Sequence, residues 1–372
     1  MNYLKAINNF KGVISTLAPD PSWTTSEAVE RARADVAEHL DEDIAALAQE
    51  AEFMFSTDVE VKSHTRQMVD LLRRWHVAPR RPTLAAIVCT AVDHFGLRER
   101  EDLVRAALMA GVLGEVKNTL AYHNNMHYRI VLLQIICLIV RHNNIYADTS
   151  NAFDAEQIAM LMIAACIHDL GHDGQGNIVN DSHISGRLEK RAFQLARPYL
   201  IAAGYSNEGR LSDLKTMILC TDVSPLYDPR NPAAQMKAAY KYHFQGGKGN
   251  PLPYLGRGLE SLANRPDIAL MGLVLHEADI AASAGLDYSV TKFETRLYRD
   301  EIAQQEAGPQ NVLDFLDEVC QRQMLSGAGQ KLYGANLARI CALAEDGVKN
   351  GNKPFTRPED SEFLSSARKQ NQ

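Results

Sequence analysis

The chain has 372 residues, a formal net charge of −7 and a charged fraction of 23%. A chain of this length can bury a sizeable core, and it contains no clustered run of Lys and Arg of the kind that binds nucleic-acid backbones. We therefore expect a folded protein whose main partner is not nucleic acid. The charge does not exclude a small anionic substrate, because a metal ion can supply local positive charge.

The first ten residues and the apolar segments predict a cytoplasmic protein with no membrane span. The N-terminus lacks the apolar centre of a signal peptide. The longest apolar stretch, 130–140, is interrupted by Gln134 and is shorter than the roughly 20 residues that cross a bilayer. The six cysteines contain no CxxC pair, so we expect buried free thiols in a reducing compartment.

Helix-forming residues with apolar spacings of three and four predict helices through most of the chain. The first, at 27–55, follows Thr24, Thr25 and Ser26, which are candidate N-cap residues. Further helices are predicted at 84–95, 99–113, 128–140 and 155–168. The last two are apolar almost all round, which places them in the core. Strand signals are few, so the predicted fold class is all-α, a compact multi-helix bundle.

Two regions depart from the helical pattern. Residues 225–258 are rich in Pro and Gly and are predicted as a long loop, functional or disordered. From 347 onward the chain is polar and is expected to fray. We predict one catalytic domain at 81–346, with 1–80 as a helical lead-in to the same domain and 347–372 as a polar C-terminal tail.

Four of the twelve histidines fall in two short clusters. His123 and His127 are four residues apart, so on a helix they would project from one face. In the second cluster an apolar helix runs directly into His168 and Asp169 and then meets glycines. Buried charges are normally paired or bound to metal, so this helix end needs a compensating group.

A third segment places His276 and Asp279 on an apolar helix. Each segment alone is explained about equally well by structural hydrogen bonds. Together the three segments supply imidazoles and carboxylates, a mixture of N and O ligands that suits zinc or another first-row dication. A hard second ion could be held mostly by carboxylate and water.

Four segments resemble motifs of the class I cyclic nucleotide phosphodiesterases, in the HD superfamily. Residues 122–127 resemble the family's YHNxxH and residues 168–177 its HDxxHPGxxN. Residues 221–224 resemble TDxS, and residues 276–279 resemble HxAD. The motifs occur in the family's order, and the match covers roughly residues 85–310.

The resemblance implies a site with two divalent metal ions. His127, His168, Asp169 and Asp279 would hold the first, typically zinc. Asp169 would also bridge to a second, typically magnesium or manganese, which is held otherwise by waters. His123 would be the general acid.

The resemblance also implies residues that surround the metal-bound waters. These would be His172, Thr221, Glu189 and Asn177. Within these segments Asp173 stands where the family usually has proline. Lys190 and Arg191 stand where a histidine pair usually follows the glutamate.

Substrate recognition is the least defined part of the resemblance. Gln305 is the candidate for the family's base-reading glutamine, with Gln304 close behind, although two solvated glutamines explain the pattern equally well. Tyr122 is a further candidate substrate-binding residue. Tyr333 and Phe315 are candidates for the aromatic clamp, and core packing explains both as well. Four aromatic residues of the predicted loop could also reach the substrate: Tyr227, Tyr240, Tyr242 and Phe244.

The implied function is hydrolysis of 3′,5′-cyclic nucleotides, cAMP or cGMP or both, to nucleoside 5′-monophosphates. A hydroxide activated by the two metals would attack phosphorus, and His123 would protonate the leaving 3′-oxygen. The expected partner is this small-molecule substrate, with no membrane and no nucleic acid, and homodimerisation is left open.

Two other functions compete with this interpretation. One is an HD-type phosphohydrolase that cleaves a nucleotide monoester or a cyclic dinucleotide. The cyclic-dinucleotide enzymes normally carry lysine where this chain has His172, together with a Gly-Tyr-Pro motif that is absent here. The other is a non-catalytic nucleotide-binding module. Degeneration usually removes a metal ligand or the acid, and all five of those positions are intact.

Overall fold

A computed structural model describes residues 1–57, 60–246, 255–304 and 306–365. The described residues form fourteen α-helices, three short 3₁₀ helices and one two-stranded antiparallel ribbon, which confirms the all-α fold class. The helices are α1 (Tyr3–Thr16), α2 (Ser26–Glu50), α3 (Val61–Val77), α4 (Leu84–His94), α5 (Glu101–Gly114), α6 (Asn125–Ile145), α7 (Ala155–Ile167), α8 (Arg187–Ala202), α9 (Glu208–Leu219), α10 (Pro232–Phe244), α11 (Pro266–Ala284), α12 (Tyr288–Glu301), α13 (Pro309–Glu318) and α14 (Gly327–Lys349). The ribbon pairs β1 (Ile178–Val179) with β2 (Ser182–His183).

The first predicted helix has the expected start and an earlier end. Thr25 caps α2, because its side chain accepts a hydrogen bond from the Ala28 N–H at 3.2 Å. The α-helix stops at Glu50, and the rest of the predicted segment, Glu52–Phe55, is a 3₁₀ helix. This tighter turn buries Phe53 and Met54 against the core.

The central predicted helices are confirmed as α4 to α7, with ends that agree with the prediction or differ from it by up to five residues. A capping box of Asp154 and Gln157 starts α7. Helix α6 is buried over most of its length, and so is α7, as their apolar sequences predict. Helices α5 and α6 both pack against α7.

Helix α11 lies at the centre of the bundle, where it packs against α6, α7, α9, α10, α12 and α14. Every residue from Ile268 to Ala284 is buried except Asp279, whose side chain is 20% exposed. A helix that is apolar all round requires such an interior position. The one exception shows where this buried helix opens onto a cavity.

The predicted long loop at 225–258 is wrong, because helix α10 occupies Pro232–Phe244. Asn231 caps this helix through a 2.7 Å bond from the Ala234 N–H, and Pro232 stands in the first turn, where its missing N–H costs nothing. The glycines and prolines that suggested a loop are concentrated outside the helix. Residues 247–254 lie outside the described part of the chain.

The N-terminal and C-terminal regions pack against the central helices. Helix α2 contacts α4 and α5, and buried residues from Tyr3 to Phe363 belong to one hydrophobic cluster. Phe363 is 1% exposed, and its carbonyl accepts a 2.7 Å bond from Arg73 Nε. The described part of the predicted polar tail therefore contributes to the core. The division at residues 80 and 347 stays a prediction.

Two sequence-based expectations concern the cysteines and membrane spans. All six cysteines are buried free thiols, as predicted. In the described ranges no single helix is long and apolar enough to cross a membrane. One pair, Pro266–Ala284 with Tyr288–Glu301, passes by length and composition but bends by 101° between its two helices.

Candidate metal centre

The segment that carries His123 and His127 changes from loop to helix between the two residues. Asn124 is the N-cap of α6, and its side-chain oxygen accepts the N–H groups of Met126 at 2.8 Å and His127 at 3.4 Å. The prediction that both histidines lie on one helix face is therefore wrong, because the asparagine side chain starts the helix at Asn125. The two rings are nevertheless neighbours, with centroids 5.7 Å apart.

His168 and Asp169 lie where α7 ends and the chain turns sharply. Gly171 adopts a φ of +74°, a left-handed conformation that glycine allows at little cost. The Nδ1 of His168 lies 3.1 Å from the carbonyl oxygen of Ala165. Because a carbonyl only accepts hydrogen bonds, Nδ1 carries the proton and the lone pair of Nε2 is left for another partner.

Four side chains bring one potential ligand atom each to a common point. His127 Nε2 lies 3.0 Å from Asp279 Oδ1 and 3.4 Å from Asp169 Oδ2. His168 Nε2 lies 3.2 Å from Asp169 Oδ2, 3.6 Å from Asp279 Oδ1 and 3.4 Å from His127 Nε2. All four ligand atoms lie within 4.8 Å of one another.

These separations fit one coordinated ion. Ligand atoms held at about 2.0–2.2 Å from a common metal lie roughly 3.0–3.6 Å from each other in tetrahedral or octahedral geometry. The four predicted ligands come from α6, α11 and the turn after α7, and the structure brings them together. This His/Asp cluster could therefore hold a metal ion.

Without an ion, the cluster would be held by charge between its own members. Burial disfavours a charged imidazole, but Asp169 and Asp279 outweigh that effect and raise the pKa of His127 to about 9. The same balance holds the pKa of His168 well above its usual range. Burial disfavours a charged carboxylate too, yet the two imidazoles lower the pKa of Asp279. An incoming metal ion would displace these imidazole protons.

Beside the cluster, His123 forms a close pair with Glu301 at the end of α12. His123 Nδ1 lies 2.5 Å from Glu301 Oε1, and Glu301 Oε2 accepts the backbone N–H groups of Tyr122 at 2.8 Å and His123 at 2.9 Å. Burial opposes ionisation of this carboxyl, but the contacts with His123 lower its pKa to about 2. Sequence analysis missed Glu301, since 178 residues separate it from His123.

His172 completes this second group by stacking on His123, with ring centroids 3.8 Å apart and planes inclined by 17°. His123, His172 and Glu301 could themselves hold a metal. However, His172 Nδ1 already accepts the Gly174 N–H at 3.1 Å, and Glu301 Oε1 is engaged by His123. We therefore interpret the group as a hydrogen-bonded pair with a stacked imidazole.

The predicted water-binding residues line one cavity together with Asp169 and Asp279 of the metal cluster. Its volume is about 510 Å³, and Asn177, Glu189, Thr221 and His172 all contribute to its wall. Asn177 Nδ2 donates to Glu189 Oε2 at 3.1 Å. Burial, and then the nearby charge of Asp222, raises the pKa of Glu189 to about 8.

Asp173 ties the loop after α7 to α8. Arg187 binds both of its carboxylate oxygens, with Nη1–Oδ2 at 2.7 Å and Nη2–Oδ1 at 2.9 Å. Asp173 Oδ1 also accepts the Gln175 N–H at 3.0 Å. This two-point contact fixes the loop that carries His172.

Some of the candidate substrate-binding residues line this cavity and others do not. Tyr122, Gln304 and Phe315 line the cavity, whereas Gln305 lies outside the described residues. Tyr333 is 1% exposed and donates to Gln134 at 2.7 Å, so it belongs to the core instead. The four aromatic residues of the wrongly predicted loop, all of them described, do not line the cavity.

Part of the cavity wall is acidic. Glu294, Asp314 and Glu318 line it, and Arg299 is the one Lys or Arg side chain among the described lining residues. Glu294 is 3% exposed, its Oε1 has no partner among the described residues, and burial raises its pKa to about 7. Asp314 and Glu318 would repel further phosphate groups of a substrate, and Glu294 would do so where it is ionised.

Comparisons with known proteins give likenesses to solved structures but no sequence match. No family model matches the chain, and no curated protein matches it. The chain is similar in structure to the phosphodiesterase domain of the RhoPDE fusion protein from the choanoflagellate Salpingoeca rosetta. The sequence identity is 15%, the TM-score is 0.49, and the match covers 88% of this chain and 99% of that one. At these values the chemistry of this chain has to be argued from its own residues.

Proposed function

We propose that this protein is a metal-dependent phosphodiesterase that hydrolyses 3′,5′-cyclic nucleotides to nucleoside 5′-monophosphates. One observation carries the proposal: the four-ligand cluster lies beside the His123–Glu301 pair, and Asp169, Asp279 and His123 line one cavity. A metal cluster alone would serve many phosphate esters. An imidazole paired with a carboxylate serves a reaction whose leaving oxygen must be protonated.

The donor set indicates the ions that the site would take. Two imidazole nitrogens and two carboxylate oxygens suit zinc, held by His127, His168, Asp169 and Asp279. We propose magnesium or manganese for a second position beside Asp169, where waters would supply most ligands. When bound, divalent ions neutralise the phosphoryl oxygens and lower the pKa of a coordinated water.

We assign to His123 the delivery of the proton that the leaving oxygen needs. Its Nδ1 is occupied by Glu301, so Nε2 is the nitrogen left to give up a proton. Glu301 also holds the backbone of Tyr122 and His123, which fixes the position of the ring. Burial, and then the charge of His123, lowers the pKa of His172 to about 4, so this stacked ring stays neutral. The pair therefore transfers one proton at a defined atom.

The cavity favours a substrate with a single phosphate at the metal end. A cyclic dinucleotide would carry its second phosphate toward the wall lined by Glu294, Asp314 and Glu318. Among the described lining residues, only Arg299 would offset that repulsion. We propose that the base of a cyclic mononucleotide lies there instead, with Gln304 and Phe315 among its contacts, and Gln305 stays a candidate. Tyr122, whose ring centroid lies 4.9 Å from that of His127, would contact the substrate closer to the metal cluster.

The test is hydrolysis of cAMP and cGMP by zinc- and magnesium-loaded protein, with nucleoside 5′-monophosphate as the readout. We expect turnover that a chelator abolishes and added metal restores. His123→Ala should keep its zinc but lose about 10²- to 10⁴-fold in kcat. Faster cleavage of a nucleotide monoester or a cyclic dinucleotide, or an undiminished rate in His123→Ala, would contradict the proposal.

A further inference from the structure

A second cavity lies behind the metal centre, with a volume of about 280 Å³. This is close to the lower end of the range of about 300–1,000 Å³ that small-molecule sites occupy. Among the described residues, His172 is the one that lines both cavities. The remaining wall comes from the connection between α1 and α2, the segment after α5, the turn after α7, and single residues of α6 and α8.

Two cationic side chains on different segments line this cavity, Lys117 after α5 and Arg191 on α8. Lys117 is exposed, and its ammonium makes no hydrogen bond or ion pair with any part of the chain that the structure describes. Arg191 Nη2 donates to the carbonyl and hydroxyl oxygens of Ser22 at 3.0 and 3.2 Å. A guanidinium has five N–H groups, so Arg191 keeps donors for a ligand.

The acids near Arg191 are largely engaged elsewhere. Asp173 Oδ2 lies 3.6 Å from Arg191 Nη1, but its two oxygens already bind Arg187 at 2.7 and 2.9 Å. Asp20 is exposed and accepts hydrogen bonds from the backbone and hydroxyl of Ser22. Asp173 also lines the cavity, but Arg187, which does not line it, offsets its charge. Lys117 and Arg191 therefore leave the cavity positively charged, which suits an anion.

The rest of the wall is suited to an organic group. Trp23, Leu170 and Val116 give apolar surface, and Asn118 and Thr119 give polar groups. Trp23 is only partly buried. A ligand with a phosphate and a small apolar or aromatic part would match both kinds of wall.

The cavity also contacts the catalytic groups from behind. Tyr128 lines it, and the Tyr128 hydroxyl donates to the backbone carbonyl of Asp169 at 2.7 Å. His172 lines it too and stacks on His123. A ligand there would touch the neighbours of one proposed metal ligand and of the proposed general acid.

We propose that this cavity binds a small phosphate-bearing anion, that Lys117 and Arg191 bind its phosphate, and that occupancy changes turnover at the metal centre. The claim that the cavity binds this anion is independent of the proposed function. The claim that binding changes turnover rests on the proposed function. The phosphate could be inorganic phosphate or part of a nucleoside monophosphate, and Trp23 distinguishes the two because only the nucleotide has a base to pack against it.

Trp23 provides a direct readout, since Trp75 is the only other tryptophan. Trp75 is 2% exposed and far from solvent, and Trp75→Phe leaves Trp23 as the reporter. In metal-loaded Trp75→Phe protein, potassium phosphate should change the fluorescence saturably. Lys117→Ala with Arg191→Ala should weaken binding by about tenfold or more. If Trp75→Phe does not fold, calorimetry compares the unaltered chain with the double variant.

Two control variants test whether the binding signal comes from this cavity or from its surroundings. Lys190→Ala removes a neighbouring charge whose ammonium binds the Ser185 carbonyl and does not line the cavity, so binding should be unchanged. Asp169→Ala disables the metal centre and should keep the Trp23 response. An absent or unsaturable response, or equal affinity in the double variant, would overturn the proposal. Tighter binding of AMP than of phosphate identifies a nucleotide site, and equal binding identifies a phosphate site.

The effect of phosphate on kcat tests the coupling. Phosphate that only competes with the substrate at the metal centre would raise KM and leave kcat unchanged. Saturating phosphate should change the kcat of the unaltered chain and not that of the Lys117→Ala/Arg191→Ala variant. An equal kcat effect in both would refute coupling. If the chain proves inactive on cyclic nucleotides, the fluorescence result still decides the binding site.

Discussion

At the residue scale, the decisive contacts join positions that are far apart in sequence. The four proposed metal ligands were recognisable because each sits in a short motif on an apolar helix or at its end. Glu301 has no such motif, and its role follows only from its 2.5 Å contact with His123. Local spacing reveals groups on one helix or turn, but not a partner supplied by the end of another helix.

Glu301→Gln tests whether this carboxylate supports proton transfer. The amide keeps the size of the side chain but removes the charge that stabilises a protonated His123, so we expect kcat to fall by roughly 10-fold to 100-fold with zinc content unchanged. The matched control is Asp300→Asn, which removes the neighbouring charge; Asp300 pairs with Arg296 and does not line the cavity. Equal kcat values for the two variants would rule out this role for Glu301.

At the element scale, capping residues explain both the helix starts that were predicted correctly and those that were missed. Thr25 and the Asp154–Gln157 box mark helix starts that the sequence shows clearly. The spacing of His123 and His127 predicts one helix face, but the Asn124 side chain between them caps α6 and leaves His123 outside the helix. Asn231 and Pro232 were read as loop residues, although Asn followed by Pro is also a helix start.

The loop after α7 depends on its contact with α8, and Asp173→Asn tests this dependence. Loss of the charged two-point contact with Arg187 should destabilise the protein by about 1 kcal/mol, because the pair is partly buried. It should also lower kcat, since the loop carries His172. Glu208→Gln removes an exposed partner of Arg197 at the same 2.7 Å distance and should change neither quantity. Thermal unfolding and initial rates measure both; an unaffected Asp173→Asn would show that the glycines alone hold the loop.

At the scale of the whole molecule, the all-α class was predictable from helix periodicity, but the arrangement of the helices was not. The sequence marks α11 as apolar all round, and only packing shows that it lies between α6, α7, α9, α10, α12 and α14. The order of the motifs can be read from the sequence. The cavity that their residues line is formed by contacts between positions far apart in the sequence. The acidic wall and the second cavity likewise have no signature in local sequence.

Removal of metal should destabilise the entire bundle, because the ligands belong to three separate helical segments. We expect a chelator to lower the melting temperature by about 5 °C or more when metal is otherwise in excess. Metal affinity should fall as the pH is lowered, since the carboxylates raise the pKa of His127 to about 9 in the ion-free protein and protons compete below that value. Differential scanning fluorimetry with and without zinc checks this; an equal melting temperature would contradict a bound structural ion.

The contact between Glu301 and the Tyr122–His123 backbone also has a consequence for synthesis of the protein. The chain is made from its N-terminus, so His123 leaves the ribosome long before the residue that fixes it. Asp279, the last of the four proposed ligands, is also translated after more than two thirds of the chain. A nascent chain that ends before these residues lacks part of the proposed site, so we expect it to be inactive until Glu301 has left the ribosome.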